Sequence, residues 1–154
     1  MTGKQQTRTS FVMGVFLAVS LVLSPFNRSA AGEAVAATMY KRPQCTCCDG
    51  HASHLRDNGY KVTIIETDDL SRIKQQHDVP EAFEGCHTLL VGGYVVEGHV
   101  PASVIDKLLK EKPAIRGISL PGMPEGSPGM GGEKAAPFTI YELSEGAPRI
   151  FAVE

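Results

Sequence analysis

The sequence predicts an α/β fold, a mixed sheet flanked by helices. Short apolar or β-branched runs alternate with segments whose apolar residues recur at helical spacing, in the order β-α-β-α-β-β-α. Gly92-Gly93 separates two of the runs by the two residues of a tight hairpin. The chain has 154 residues, 42% of them hydrophobic and 21% charged, which suits one small globular domain.

The first 31 residues read as a segment apart from that domain. Lys4 and Arg8 make a basic start, Phe11 to Leu23 is an apolar run, and small residues follow. This is the layout of a secretory signal peptide, with Ser29 and Ala31 framing a cleavage site and Ala34 and Ala36 framing an alternative end at 36. The apolar run falls short of the ~18 residues of a spanning helix, so a membrane contact is expected only through an uncleaved signal. Export places residues 34–154 in the periplasm. Cleavage after Ala31 removes Lys4, Arg8 and Arg28 and leaves 12 basic against 17 acidic residues, moving the formal charge from -2 to -5. Without a basic patch, the chain has no electrostatic footprint for nucleic acid.

The first strand is expected over Ala34–Tyr40, AVAATMY, ended by Lys41-Arg42-Pro43. A helix then begins within the cysteines that follow and runs to Asn58, with Gly59 as its stop signal. Cys48, Ala52 and Leu55 share its core-facing stripe; Cys47, His51 and His54 share the next face. Tyr60–Thr67 is a β-branched strand, and Asp68 or Asp69 caps a second helix whose buried stripe is Leu70, Ile73 and His77. Strands over Thr88–Val91 and Tyr94–Glu97 flank the hairpin turn. Pro101 starts a third helix with Val104, Ile105, Leu108 and Leu109 on its apolar face, and Pro113 ends it. Residues 118–132, rich in Pro, Gly and Met, are expected as an irregular loop. A terminal hairpin is expected over 138–153, from strands at Phe138–Leu143 and Arg149–Val153.

The chemistry concentrates in Cys45-Thr46-Cys47-Cys48 and Cys86-His87, which hold all four cysteines. Three thiols in four residues make poor ordinary disulfides, since adjacent cysteines pair only with strain. They gather soft sulfur around a metal well. At the start of a helix, backbone N–H groups and the helix dipole stabilise thiolate, which serves ligation and nucleophilic attack alike. Cys45 and Cys48 have the C-x-x-C spacing of disulfide oxidoreductases, and Cys47 inside that pair is the anomaly: it invites scrambled disulfides in an exchanger and is one more ligand in a metal site. Met123 and Met130 lie in the Pro/Gly loop and are candidate thioethers, with plain packing over the sheet as the alternative. His54 and His99 are candidate supporting groups, His51 could contribute to a side site, and His77 reads as structural.

The element order resembles a thioredoxin-like fold. Gly85-Cys86-His87 then resembles the stretch where thioredoxins carry a cis-proline opposite C-x-x-C, with His87 at the proline position. That resemblance implies that Cys86 and His87 face Cys45 and Cys48. The motifs C-x-C-C, C-H-T-x-x-V-G-G-Y-V-V-E-G-H-V-P and P-G-M-P-x-G-S-P-G-M are similar, from Met39 to about Met130, to the CopG-like family of exported copper-resistance proteins. The resemblance implies copper binding through Cys45, Cys47, Cys48 and Cys86. Thiolate and thioether select Cu(I), and adjacent Cys47 and Cys48 fit bridging positions among several ions better than one shared ion.

The expected function is a periplasmic protein that holds Cu(I) and serves copper tolerance by sequestration, transfer or redox handling, with other periplasmic copper-handling proteins as partners. Two alternatives stay open. One is a thiol–disulfide oxidoreductase using Cys45 and Cys48; the other is an interaction module stabilised by zinc on Cys45, Cys48, Cys86 and His87. Turnover of copper or thiols is the only enzymatic activity the pattern leaves open.

Overall fold

The computed structural model describes residues 1–3 and 33–154. The apolar run and the Ser29/Ala31 cleavage site of the expected signal peptide lie outside the described residues. From Val35 onward the chain forms β1 (Val35–Lys41), α1 (Thr46–Asp57), β2 (Tyr60–Glu66), α2 (Leu70–Gln76), β3 (His87–Val91), β4 (Tyr94–Gly98), α3 (Ala102–Glu111), β5 (Gly117–Leu120), β6 (Thr139–Glu142) and β7 (Ile150–Val153). A single 3-10 turn covers Glu81–Phe83.

The expected order β-α-β-α-β-β-α is thus present, and the sheet is mixed. Its strands lie in the order β2-β1-β3-β4-β5-β6-β7. β1 runs parallel to β2 and β4 parallel to β5, while the β1–β3, β3–β4, β5–β6 and β6–β7 pairs are antiparallel. Each parallel pair is joined through a helix, as a parallel crossover requires.

Strand alternation divides the side chains between two faces. Met39, Leu89, Val96 and Ile118 meet Cys48, Ala52 and Leu55 of α1 and Val104, Ile105 and Leu108 of α3 in one apolar cluster. Val95 and Leu143 pack with Val79 and Phe83 in a second cluster. Burying a side chain of this size contributes about 1.5–3 kcal/mol, so the first cluster is the main apolar support of the β1–α1 and β4–α3 connections.

Two expectations are corrected. The loop expected from 118 begins at Pro121, because Gly117–Leu120 forms β5, wholly buried between β4 and β6. Four residues carry too little periodicity to announce a strand; pairing with β4 and β6 supplies what propensity does not. The terminal hairpin consequently extends the main sheet. In α2, capped by the Asp69 side chain as expected, Leu70 is buried but Ile73 and His77 are only partly so, and the other buried residue is Lys74.

The reason for Lys74 lies in β4. Glu97 is fully buried, and its carboxylate accepts from the Lys74 ammonium, from Thr88 Oγ1 at 2.6 Å and from the Gly85 N–H at 2.7 Å. Burial raises the Glu97 pKa, and Lys74, Thr88 and Gly85 oppose that shift. A buried carboxylate is tolerated only when its lone pairs are filled in this way. Through Gly85 the network grips the backbone just before Cys86.

Lys74→Met should therefore destabilise the protein by about 3–5 kcal/mol, the cost of stranding a buried charge. The double variant Lys74→Met/Glu97→Gln should recover a large part of that loss. Urea denaturation of the three proteins checks this; equal losses in the single and double variants would contradict a charge-pair origin.

Candidate metal centre

The first cysteines are delivered by the turn after β1. Gln44 takes a left-handed conformation (φ 64°), an uncommon geometry for a residue with a Cβ, and reverses the chain into α1. Cys45 is the N-cap residue, without a side-chain cap, and Cys47 and Cys48 lie in the first helical turn. Lys41, whose side chain is buried at the end of β1, holds Asp49 of α1 at 3.1 Å and Glu66 of β2 at 3.0 Å.

The second delivery comes from β3. Lys41 pairs with His87 across the β1–β3 ladder, so Cys86 and His87 arrive beside the end of β1. The approach requires two glycines. A Cβ on Gly85 would lie 2.3 Å from the Gly98 nitrogen, and Gly98 itself has φ 73°. The Cys86 segment and the Gly98-His99 turn consequently lie backbone to backbone, nearer than side chains permit.

These placements bring the cysteines together. Cys48 Sγ lies 3.4 Å from Cys86 Sγ, and Cys45 Sγ lies 3.6 Å from Cys47 Sγ. Cys45 and Cys48 are joined as a disulfide, while Cys47 and Cys86 are free thiols. Two overlapping groups have ligand atoms within 4.8 Å of one another: Cys45, Cys47, Cys48 and Cys86, and Cys48, Cys86, His87 and His99. Cys48 and Cys86 belong to both. A cleft of about 310 Å³, lined in part by Arg42, Cys45, Ser71, Glu84 and Cys86, opens beside the sulfurs. A larger hollow of about 380 Å³ between Leu120, Pro124 and Phe138 contains no cysteine or histidine.

The histidines divide between the sulfurs and the helices around them. His99 is a member of the centre: its Nε2 lies 3.0 Å from Cys86 Sγ, and its Nδ1 lies 2.6 Å from the Pro128 carbonyl. His87 Nδ1 lies 3.4 Å from the same sulfur. His54 instead accepts the Ala102 N–H at 3.2 Å, serving the start of α3, which has no side-chain cap of its own. His51, expected on the helix face shared with Cys47 and His54, is fully buried, with its ring 3.0 Å from His87 Nε2 and 2.9 Å from the Val100 carbonyl. It lies at i+3 in the i, i+3, i+4, i+7 stripe with Cys48, Ala52 and Leu55, and that spacing was the signal for its burial.

The methionine loop crosses α1. Gly129 packs so closely there that a Cβ would stand 2.4 Å from the His51 nitrogen and 2.5 Å from the Cys47 carbonyl oxygen. Met130 follows, partly buried, its N–H donating to the Ser127 carbonyl at 2.8 Å; Met123 is exposed, in a left-handed conformation.

Electrostatically the centre favours neutral donors. Burial first, then the neighbouring His99 and His54, brings His51 down to about 3 against the pull of its bond to Val100. Burial likewise takes His87 well below its ordinary value, with smaller contributions from His51, His99 and Lys74, and lowers His99. Burial, reinforced by Cys47, pushes the Cys86 thiol up to about 12. In the metal-free protein the rings therefore keep bare nitrogens and Cys86 keeps its proton, which a metal must displace.

These shifts carry a pH dependence with a definite sign. The unfolded chain takes up histidine protons near pH 6.5, whereas the folded chain resists them, so stability is present above 6.5 and lost as pH falls toward 3. For His51 alone the loss between pH 6.5 and pH 4 is on the order of 3 kcal/mol. Denaturation of the metal-free protein across this range should show the decline, and His51→Asn should show a shallower one.

Comparison with known proteins follows the same residues. A family model described as a protein of unknown function, DUF411, matches residues 83–130, which contain Cys86, His87, His99 and the methionine loop. No curated protein gives a significant match. Two solved structures, form 2 and form 1 of a copper resistance protein, CopG, are each 37% identical to the chain, with a TM-score of 0.72. Each alignment covers 79% of this chain, and 99% and 98% of theirs. With that identity over nearly the whole of the related structures, the chain belongs to the CopG family.

Proposed function

We propose that this protein binds copper as Cu(I) at the sulfur–imidazole centre and contributes to copper tolerance after export to the periplasm. The observation that carries the reading is the sharing of Cys48 and Cys86 between the two ligand groups. A thiolate common to two groups bridges ions, so the donors suit a site of several Cu(I) ions and give each of the four cysteines a use. The donor chemistry fits this ion: reduced sulfur and neutral imidazole are soft or borderline ligands, and no carboxylate joins either group.

Reduction of the Cys45–Cys48 disulfide by an external dithiol, which gives up two electrons and two protons and becomes a disulfide itself, prepares the site. The sulfurs are already gathered, so reduction frees ligands without requiring the chain to refold around them. Bound copper is cargo in this reading, passing to or from other copper-handling proteins through the cleft beside Cys45 and Cys86. Met123 and Met130 serve as thioether arms on the loop that crosses α1.

The disulfide also favours a second reading, in which the pair is redox-active. Oxidation of the Cys45 and Cys48 thiols to the disulfide releases two electrons and two protons, enough to reduce two Cu(II) to Cu(I). Exchange with a protein disulfide would use the same pair. Zinc remains the competing ion, because Cys48, Cys86, His87 and His99 form a Cys₂His₂ set.

Anaerobic titration of the reduced protein against a strong Cu(I) chelator separates these readings. The wild type should take up roughly two or more Cu(I) per chain and keep them against excess zinc. Cys86→Ser, which removes a sulfur common to both groups, should lose more than half of that copper. Cys47→Ser should lower copper content while leaving the protein folded. Zinc displacing Cu(I), or full copper content in Cys86→Ser, would overturn the assignment; robust reduction of peptide disulfides by Cys47→Ser would favour the exchange reading.

A further inference from the structure

We infer that His51 is a positioning residue: it fixes the tautomer of His87 and thereby presents the bare Nδ1 of that ring to the sulfur cluster. The inference deepens the copper reading and rests on it for the identity of the ion. The tautomers themselves follow from the hydrogen-bond network. A carbonyl oxygen only accepts, so the contact from His51 Nε2 to Val100 at 2.9 Å places the ring proton on Nε2. In the neutral ring, His51 Nδ1 is then an acceptor. Its partner at 3.0 Å, His87 Nε2, must be the donor. His87 Nδ1 is left without a proton, 3.4 Å from Cys86 Sγ.

His99 is fixed from the opposite side. Its Nδ1 donates to the Pro128 carbonyl at 2.6 Å, which leaves Nε2 bare and 3.0 Å from Cys86 Sγ. Two imidazole lone pairs of opposite kind, Nδ1 and Nε2, therefore face one thiol. That thiol has a single proton to give, so one lone pair is left over. The arrangement is under-satisfied without a cation and complete with one.

His51 prevents the alternative that would disable the ligand. A His87 ring free to choose could move its proton to Nδ1 and donate it to Cys86, satisfying the sulfur while removing a donor nitrogen. His51 makes that state costly, because the buried nitrogens of both histidines would then face each other without a proton between them. Groups that orient a metal-binding histidine in this way commonly contribute 10–100-fold to affinity.

Long-range ¹H–¹⁵N NMR of the metal-free protein reads the tautomers directly. Wild type should show Nε2–H in His51 and His87 and Nδ1–H in His99. His51→Phe, which fills the space without an acceptor, should move His87 toward Nδ1–H and lower Cu(I) affinity ~10–100-fold. His51→Asn, whose Oδ1 can take the place of Nδ1, should keep His87 as Nε2–H and retain most of the affinity. Nδ1–H on His87 in the wild type overturns the inference, as does an unchanged His87 tautomer or full affinity in folded His51→Phe. The wild-type assignment needs no variant to fold. Correct tautomers in a wild-type protein that binds no Cu(I) would overturn the copper reading instead.

Discussion

The centre depends on one stretch of antiparallel pairing, the ladder between β1 and β3 that ends with Lys41 opposite His87. Everything chemical hangs from that end. Beyond Lys41 the chain turns through Gln44 into the cysteine-bearing start of α1; before His87 it carries Cys86. Because strand register moves in whole residues, a slip of one position would turn His87 to the opposite face, away from His51. Sulfurs 38 residues apart in sequence meet at 3.4 Å as a consequence of sheet register, with no segment of their own dedicated to the contact.

The same alternation builds two different environments from consecutive residues. His87 projects toward α1 and joins a neutral cluster with His51 and His99, whereas Thr88 projects to the other face and joins the Lys74–Glu97 pair. The buried charges on either face, Lys74 with Glu97 and Lys41 with Asp49 and Glu66, are each balanced by a direct partner. Burial around the rings depresses histidine protonation and leaves lone pairs where cationic rings would repel a metal. Gly85 ties the two environments together, since its N–H serves Glu97 while its missing side chain lets the Cys86 segment approach Gly98.

The Pro/Gly/Met loop is held by backbone and by absence of side chains more than by apolar packing. Gly129 lies against the first turns of α1, and the Pro128 carbonyl accepts from His99. A loop that supplies the hydrogen-bond partner of a ring in the centre is part of the scaffold of that centre, whatever its methionines bind.

Much of this was legible in the order of residues. Apolar periodicity announces α1 and α3, Gly92-Gly93 announces the β3–β4 hairpin, and the clustered cysteines announce the centre, because each of these signals is local. The facing of Cys86-His87 toward C-x-C-C came from the resemblance to a known layout, since no local pattern states which strands will neighbour each other. Three features were decided by tertiary structure alone. β5 is a strand because β4 and β6 flank it; Lys74 is buried because Glu97 waits beneath it; and the contact of His99, a candidate supporting group by sequence, with Cys86 exists because Gly85 and Gly98 let two backbones touch. His51 stands between the two cases. Its helical spacing marks it for burial, but only the nearby Val100 carbonyl and His87 ring determine which of its nitrogens carries the proton. Sequence determines which donors the chain possesses and which local elements carry them. Proximity and protonation depend on contacts between residues distant in the chain, and those exist only once the sheet has chosen its register.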